Sequence, residues 1–308
     1  MNLAILAYPI LSLLCFYCVF LYPQAAVLLM FIAPMVLLAY FENPERTKKT
    51  DLISAAVLLV SAFIDPLITL YFVPMTLLPV WILKRARQKA PNDAYIASIA
   101  APMPFFILLT FSLIFVPSVK ELVMKSMSEF IAALTSPLEG TADKFGDMGV
   151  LSFFVGNKEL AAKYLTYLLP CIAFSVISLF VFVTDRIRPK FSETGEILPR
   201  YFRLPDKLVW LFIVGGFLIL IDNEYVKFVS INIIVIFGML YFFQGVQMMS
   251  FLFDRIRIGG IFRGFIYVFL FTEPPVMAIV ALMGLFSIWF RPKWSMPAND
   301  NEETNDRR

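Results

Sequence analysis

At least eight apolar blocks, each closed by a short polar or basic interval, run from Asn2 to Phe290. This recurrence constrains the fold more than any motif does. A hydrocarbon core of about 30 Å is crossed by roughly 20 apolar residues in a helix, and blocks of that order fill nearly the whole chain. Hydrophobic residues take 60% of the 308 positions and charged residues only 16%, with the charges gathered between blocks. The sequence therefore predicts an all-α fold, a polytopic transmembrane helix bundle over residues 1–291. A polar, disorder-prone tail follows at 292–308. No soluble module fits between the blocks.

Full-length spans are expected at Leu3–Leu21, Tyr95–Val116, Ala161–Val183 and Tyr225–Phe253, and shorter ones at Ala25–Tyr40, Leu52–Ile64, Leu67–Leu83 and Lys207–Ile221. The last apolar region, Gly264–Phe290, is interrupted by Thr272-Glu273-Pro274-Pro275, and Asp65-Pro66 divides Leu52–Leu83 in the same way. Proline lacks a backbone donor and clashes with the preceding turn, so each interruption is a kink or a turn between two short helices. As one helix, the 32 residues of Leu52–Leu83 would overshoot the membrane, which favours two spans there. The expected total is nine or ten helical segments.

With the N-terminus in the cytoplasm, the intervals 41–51, 84–94, 184–207 and 253–263 all fall inside. They hold three, four, six and three basic residues, sixteen of the chain's 26. This matches the excess of Lys and Arg on cytoplasmic loops and sets a multi-pass inner-membrane topology. A hairpin at Gly264–Phe290 would also bring Arg291, Lys293, Arg307 and Arg308 inside, which favours ten segments. The long segment 118–160 falls outside and opens with an amphipathic helix, its apolar face Val123, Met127, Phe130, Ile131 and Leu134. That helix either lies in the membrane interface or packs on the bundle as a lid. Asn157 is placed to cap the next span.

Asp185-Arg186-Ile187-Arg188 and Asp254-Arg255-Ile256-Arg257 each close a long apolar block on the same side. They read as cationic anchors with a local counter-ion, or as the trace of a duplicated helical unit.

The chemistry-bearing residues are few. Histidine is absent, and no nucleotide-binding loop or metal cluster is present, so no enzyme, cofactor or metal site is expected. A net charge of +3 does not point to a nucleic-acid partner. Cys15, Cys18 and Cys171 lie in apolar blocks and read as packing residues. Asp65 and Glu273 sit beside prolines at the two breaks. Either they are turn formers at a membrane surface, or they face a cavity at discontinuous helices, as in many transporters. Asn232, Gln244 and Gln247 interrupt an otherwise apolar span, and Gln244 and Gln247, three apart, share a face. They are either interhelical hydrogen-bond glue or the lining of a polar cavity that receives a small solute.

Leu204-Pro205-Asp206, Tyr241-Phe242-Phe243-Gln244-Gly245 with its basic end, and Gly284-Leu285 before Arg291 resemble the YybS-like family of bacterial integral membrane proteins. Phe286-Ser287 stands where that family usually carries an acidic residue, so a role tied to that carboxylate does not carry over. The resemblance covers roughly the C-terminal half. It implies a multi-pass protein whose layout is distantly similar to substrate-binding subunits of energy-coupling-factor vitamin transporters. The expected function is a substrate-binding or permease-like membrane subunit for a small solute, surrounded by lipid and served by an energising or membrane-complex partner. The alternative is a non-catalytic scaffold or assembly factor for a membrane complex.

Overall fold

The structure, a computed structural model, describes residues 3–21, 26–89, 94–135, 157–187 and 202–289. All regular elements among them are helical. A 3-10 turn leads into α1 (Ala7–Leu21), followed by α2 (Ala26–Glu42), α3 (Lys48–Ile64), α4 (Pro66–Phe72) and α5 (Leu78–Lys89). Then come α6 (Ala94–Ala100), α7 (Met103–Phe115), α8 (Pro117–Thr135), α9 (Lys158–Ile187) and α10 (Val209–Leu218). The last three are α11 (Glu224–Arg255), α12 (Gly260–Thr272) and α13 (Pro274–Phe286). Most of the expected external segment (136–156), the basic interval 188–201 and the tail from 290 lie outside the described residues.

Helix starts follow local chemistry. Thr47 and Thr50 form a reciprocal capping box at α3, and Asn223 caps α11 through the backbone amides of Tyr225 and Val226. Pro74 lacks an amide donor, and the chain widens there into a π turn, Val73–Leu77, that joins α4 to α5.

By length and composition four stretches can cross a membrane: Ile68–Lys89, Ala94–Phe115, Lys158–Ile187 and Glu224–Arg255. A fifth is the pair α12 and α13, bent by 101°. The region expected as a kinked helix or a hairpin is thus a sharply bent pair of short helices. Gly284 packs on Tyr241 and Gly245 on Val280, so α13 crosses α11 in backbone contact. Phe271 of α12 meets Phe242 of α11 edge-on at 5.0 Å, and Tyr267 meets Phe253 at 5.9 Å, so α12 packs on α11 as well. Exposure agrees with a lipid surround. Phe63 is 91% and Ile261 84% exposed, and large apolar residues line the outer faces of α3, α7, α10 and α12. In water such faces would drive association.

Two apolar clusters make the core. The first joins α1, α2, α4 and α5 through Phe16, Leu37, Leu38, Phe72 and Leu83. The second joins α9, α11 and α13, with Phe182 stacked on Phe243 at 4.6 Å and Phe202 edge-on to both. Helix α9 belongs to both, through Val181 in the first and Phe174 and Phe182 in the second. Helix α8 packs Met127 and Ile131 on Ala161, Ala162 and Leu165 of α9, as a lid on the bundle. Phe130, expected on the same face, is instead 57% exposed, because Met127 and Ile131 already fill the i, i+4 stripe. The side chain of Leu134 lies outside the described set.

Candidate functional site

At the end of the bundle that carries α8, the first turns of α9 and α11 part to leave a cavity of about 330 Å³. Its walls are mainly apolar, from Leu160, Tyr164, Tyr167, Leu168, Phe228 and Ile231. Its rim is charged. Lys163 Nζ pairs with Glu224 Oε1 at 2.6 Å, and Lys227 Nζ with Asp222 Oδ1 at 2.6 Å. The Tyr167 hydroxyl donates to Glu224 Oε1 at 2.8 Å. The Lys227 ammonium hydrogen-bonded to Asp222 holds that carboxyl below the ordinary carboxylate range. These are exposed pairs, weakened by solvent screening and therefore exchangeable for a ligand's charge.

Asn232 closes the inner end of the cavity. Its Oδ1 accepts from Cys171 N at 3.1 Å, and its Nδ2 donates to Tyr167 O at 3.0 Å and to Phe228 O at 2.9 Å. Tyr167 O and Cys171 N are the pair that an unbroken α9 would bond to each other. Pro170 loosens this turn, and the Asn232 amide stitches it across to α11.

Gln244 and Gln247 lie about three to four turns further along α11, away from this cavity. Gln244 Oε1 accepts from Leu204 N at 2.8 Å, while its Nε2 donates to Gly284 O at 3.0 Å and to Ser287 Oγ at 2.8 Å. Gln247 Oε1 accepts from Phe202 N at 2.7 Å and from the Arg186 guanidinium. The shared face read from sequence is real, and it clamps one extended segment, Phe202–Leu204. The three motifs that carry the family resemblance meet at this clamp.

Asp65 and Glu273 are separate from both places. Asp65 caps α4, its Oδ1 accepting from Ile68 N at 3.0 Å, beside a hydroxyl group of Ser61, Thr69 and Tyr17. Glu273 occupies the capping position of α13, is exposed, and makes no side-chain capping bond. Of the five sequence candidates, the structure brings Gln244 and Gln247 together and sets Asn232 on the cavity wall.

Sequence reading missed Arg87. Its side chain is 1% exposed, with Nε 2.7 Å from Asp185 Oδ1 and Nη1 2.6 Å from Glu42 Oε1. The last turns of α2, α5 and α9 thus meet around one guanidinium, which also offsets three helix C-terminal dipoles. Val80, Leu83 and Arg87 share one buried stripe of α5, a spacing that could have flagged it. The two four-letter repeats differ in setting: Asp185 is buried in this triad, whereas Asp254 is exposed and pairs with Arg263.

No curated protein and no solved structure matches the chain. A family model described as a predicted membrane protein, DUF2232, matches residues 10–287, nearly the whole of it. With the apolar helices and lipid-ready surface above, that match makes the chain a member of the DUF2232 family of predicted membrane proteins.

Proposed function

We propose that the protein is a membrane transport subunit that binds a small solute in the cavity between α9 and α11, in the manner of a substrate-binding or permease-like component. The cavity carries this reading. It falls in the size range of small-molecule sites, with apolar walls and a few convergent polar groups, and it opens between the two longest spans. The resemblance to YybS-like proteins, and through them to energy-coupling-factor substrate-binding subunits, supports the same role. The chain has no nucleotide-binding motif, so an energising or membrane-complex partner belongs to the proposal, as does the surrounding membrane lipid. Catalysis, a cofactor, a metal and nucleic acid do not.

In this reading the chain lies in the inner membrane with its N-terminus cytoplasmic and the cavity outward. Nine segments follow if α12 and α13 count as one broken span. The test is a thermal-shift screen of charged, zwitterionic and neutral small solutes against the purified protein, with Ile231→Trp as the filled-cavity control. Stabilisation of wild type that is absent in Ile231→Trp supports the site. Equal responses in both proteins, with stoichiometric capture of a membrane complex, would select the scaffold reading.

A further inference from the structure

The ammonium groups around the cavity differ in their partners. Lys163 and Lys227 are each paired with a carboxylate, Glu224 and Asp222. A third ammonium comes from α8, where Lys120 Nζ stands 5.5 Å from the centre of the Tyr167 ring on the cavity wall. Among the described residues Lys120 has no carboxylate within ion-pair distance; its contact is this ring face. Lys163 approaches the same ring at 5.9 Å. Three ammonium groups thus gather at one mouth, and Lys120 is the one that no ion pair holds.

The interior has the opposite character. Phe228 meets Tyr167 edge-on at 5.2 Å, and Leu168 and Ile231 continue the apolar wall. At the inner end both Asn232 amide hydrogens are already donated, to Tyr167 O and Phe228 O, so the floor offers no spare donor there. A ligand body that enters needs no polar group to satisfy it. A cation is disfavoured, because two ammonium groups already share the one aromatic face at the mouth.

Resting on the solute-binding reading above, we propose that this cavity selects a monoanionic amphiphile: a carboxylate or phosphate head joined to an apolar body. Lys120 receives the head, and Tyr167, Phe228 and Ile231 hold the body. Helix α8 is then part of the site as well as a cover, since it delivers the cation that no ion pair holds. The same chemistry is offered by a free organic acid and by the phosphate of an anionic lipid.

The experiment uses the full chain in phosphatidylcholine nanodiscs. Calorimetric binding of 3-phenylpropionate is compared with that of its neutral amide, 3-phenylpropionamide. A second arm replaces part of the lipid with phosphatidylglycerol, omits the acid and reads the melting temperature. Each arm is run on wild type, Lys120→Ala, Lys120→Arg and Ile231→Trp. If the source is a free acid, the acid binds about tenfold or more tighter than the amide. Lys120→Ala then removes the difference, and Lys120→Arg keeps it. If the source is lipid, phosphatidylglycerol raises the melting temperature of wild type and Lys120→Arg but not of Lys120→Ala. Equal binding of acid and amide, blocked by Ile231→Trp, overturns the anion and leaves the solute cavity standing. Lack of any response in either arm overturns both.

Discussion

A guanidinium with 1% of its side chain exposed is held between Glu42 and Asp185, so its buried charge is met by two carboxylates. Removing one member of such a group leaves an uncompensated buried charge. Arg87→Met should therefore lower unfolding stability in detergent by about 3–5 kcal/mol, and Asp185→Leu added to it should recover part of the loss. An additive or larger loss in the double variant would mean that the residues act separately. Gln244→Leu is a second residue-scale test. It leaves the buried Leu204 amide without its acceptor, so stability should fall by about 1–3 kcal/mol. Ligand held between α9 and α11 should remain, because the glutamine lies away from that cavity. The sequence made Gln244 and Gln247 visible by their three-residue spacing in an apolar run. What they hold is a segment some 40 residues distant, and nothing local encodes that. Arg87 was hidden for a different reason: in a tally of loop charges it looks like any other lysine or arginine.

Among elements, the crossing of α11 and α13 is set by two glycines. A Cβ on Gly284 would collide with the Tyr241 carbonyl oxygen, and one on Gly245 with that of Val280. Backbone, unlike a side-chain tip, cannot give way cheaply. Gly284→Val is thus expected to force the helices apart and lower the melting temperature, by the equivalent of about 1–3 kcal/mol. Gly216→Val, where a Cβ meets open space, should be tolerated. The extents of these helices were legible, because the 30 Å hydrocarbon rule and the proline breaks mark the ends. The direction taken after a break was not. Thr272-Glu273-Pro274-Pro275 announces an interruption but not its 101° angle, nor that α13 then packs on α11 through Gly245 and Gly284. The cavity was illegible for a related reason, since its ion pairs join Lys163 of one helix to Glu224 of another.

For the whole molecule, α9 is the shared wall of two clusters, tied to α2 and α5 at one end and lining the cavity at the other. The proposed topology places the Arg87 end in the cytoplasm and the cavity outside. Single cysteines in a cysteine-free background, probed with an impermeant thiol reagent, should label from outside at Lys120–Glu159 but not at 84–94 or 184–207. With α12 and α13 as one broken span, the tail beyond Arg291 should also label from outside; protection there would select the ten-segment hairpin. The central claim is that the α9–α11 cavity holds a small molecule, and native mass spectrometry of protein released gently from nanodiscs tests it most directly. The account predicts a discrete small-molecule adduct on wild type that disappears in Ile231→Trp while the variant remains folded. An adduct retained equally by Ile231→Trp, or a ligand-free protein carrying a stoichiometric protein partner, would contradict it.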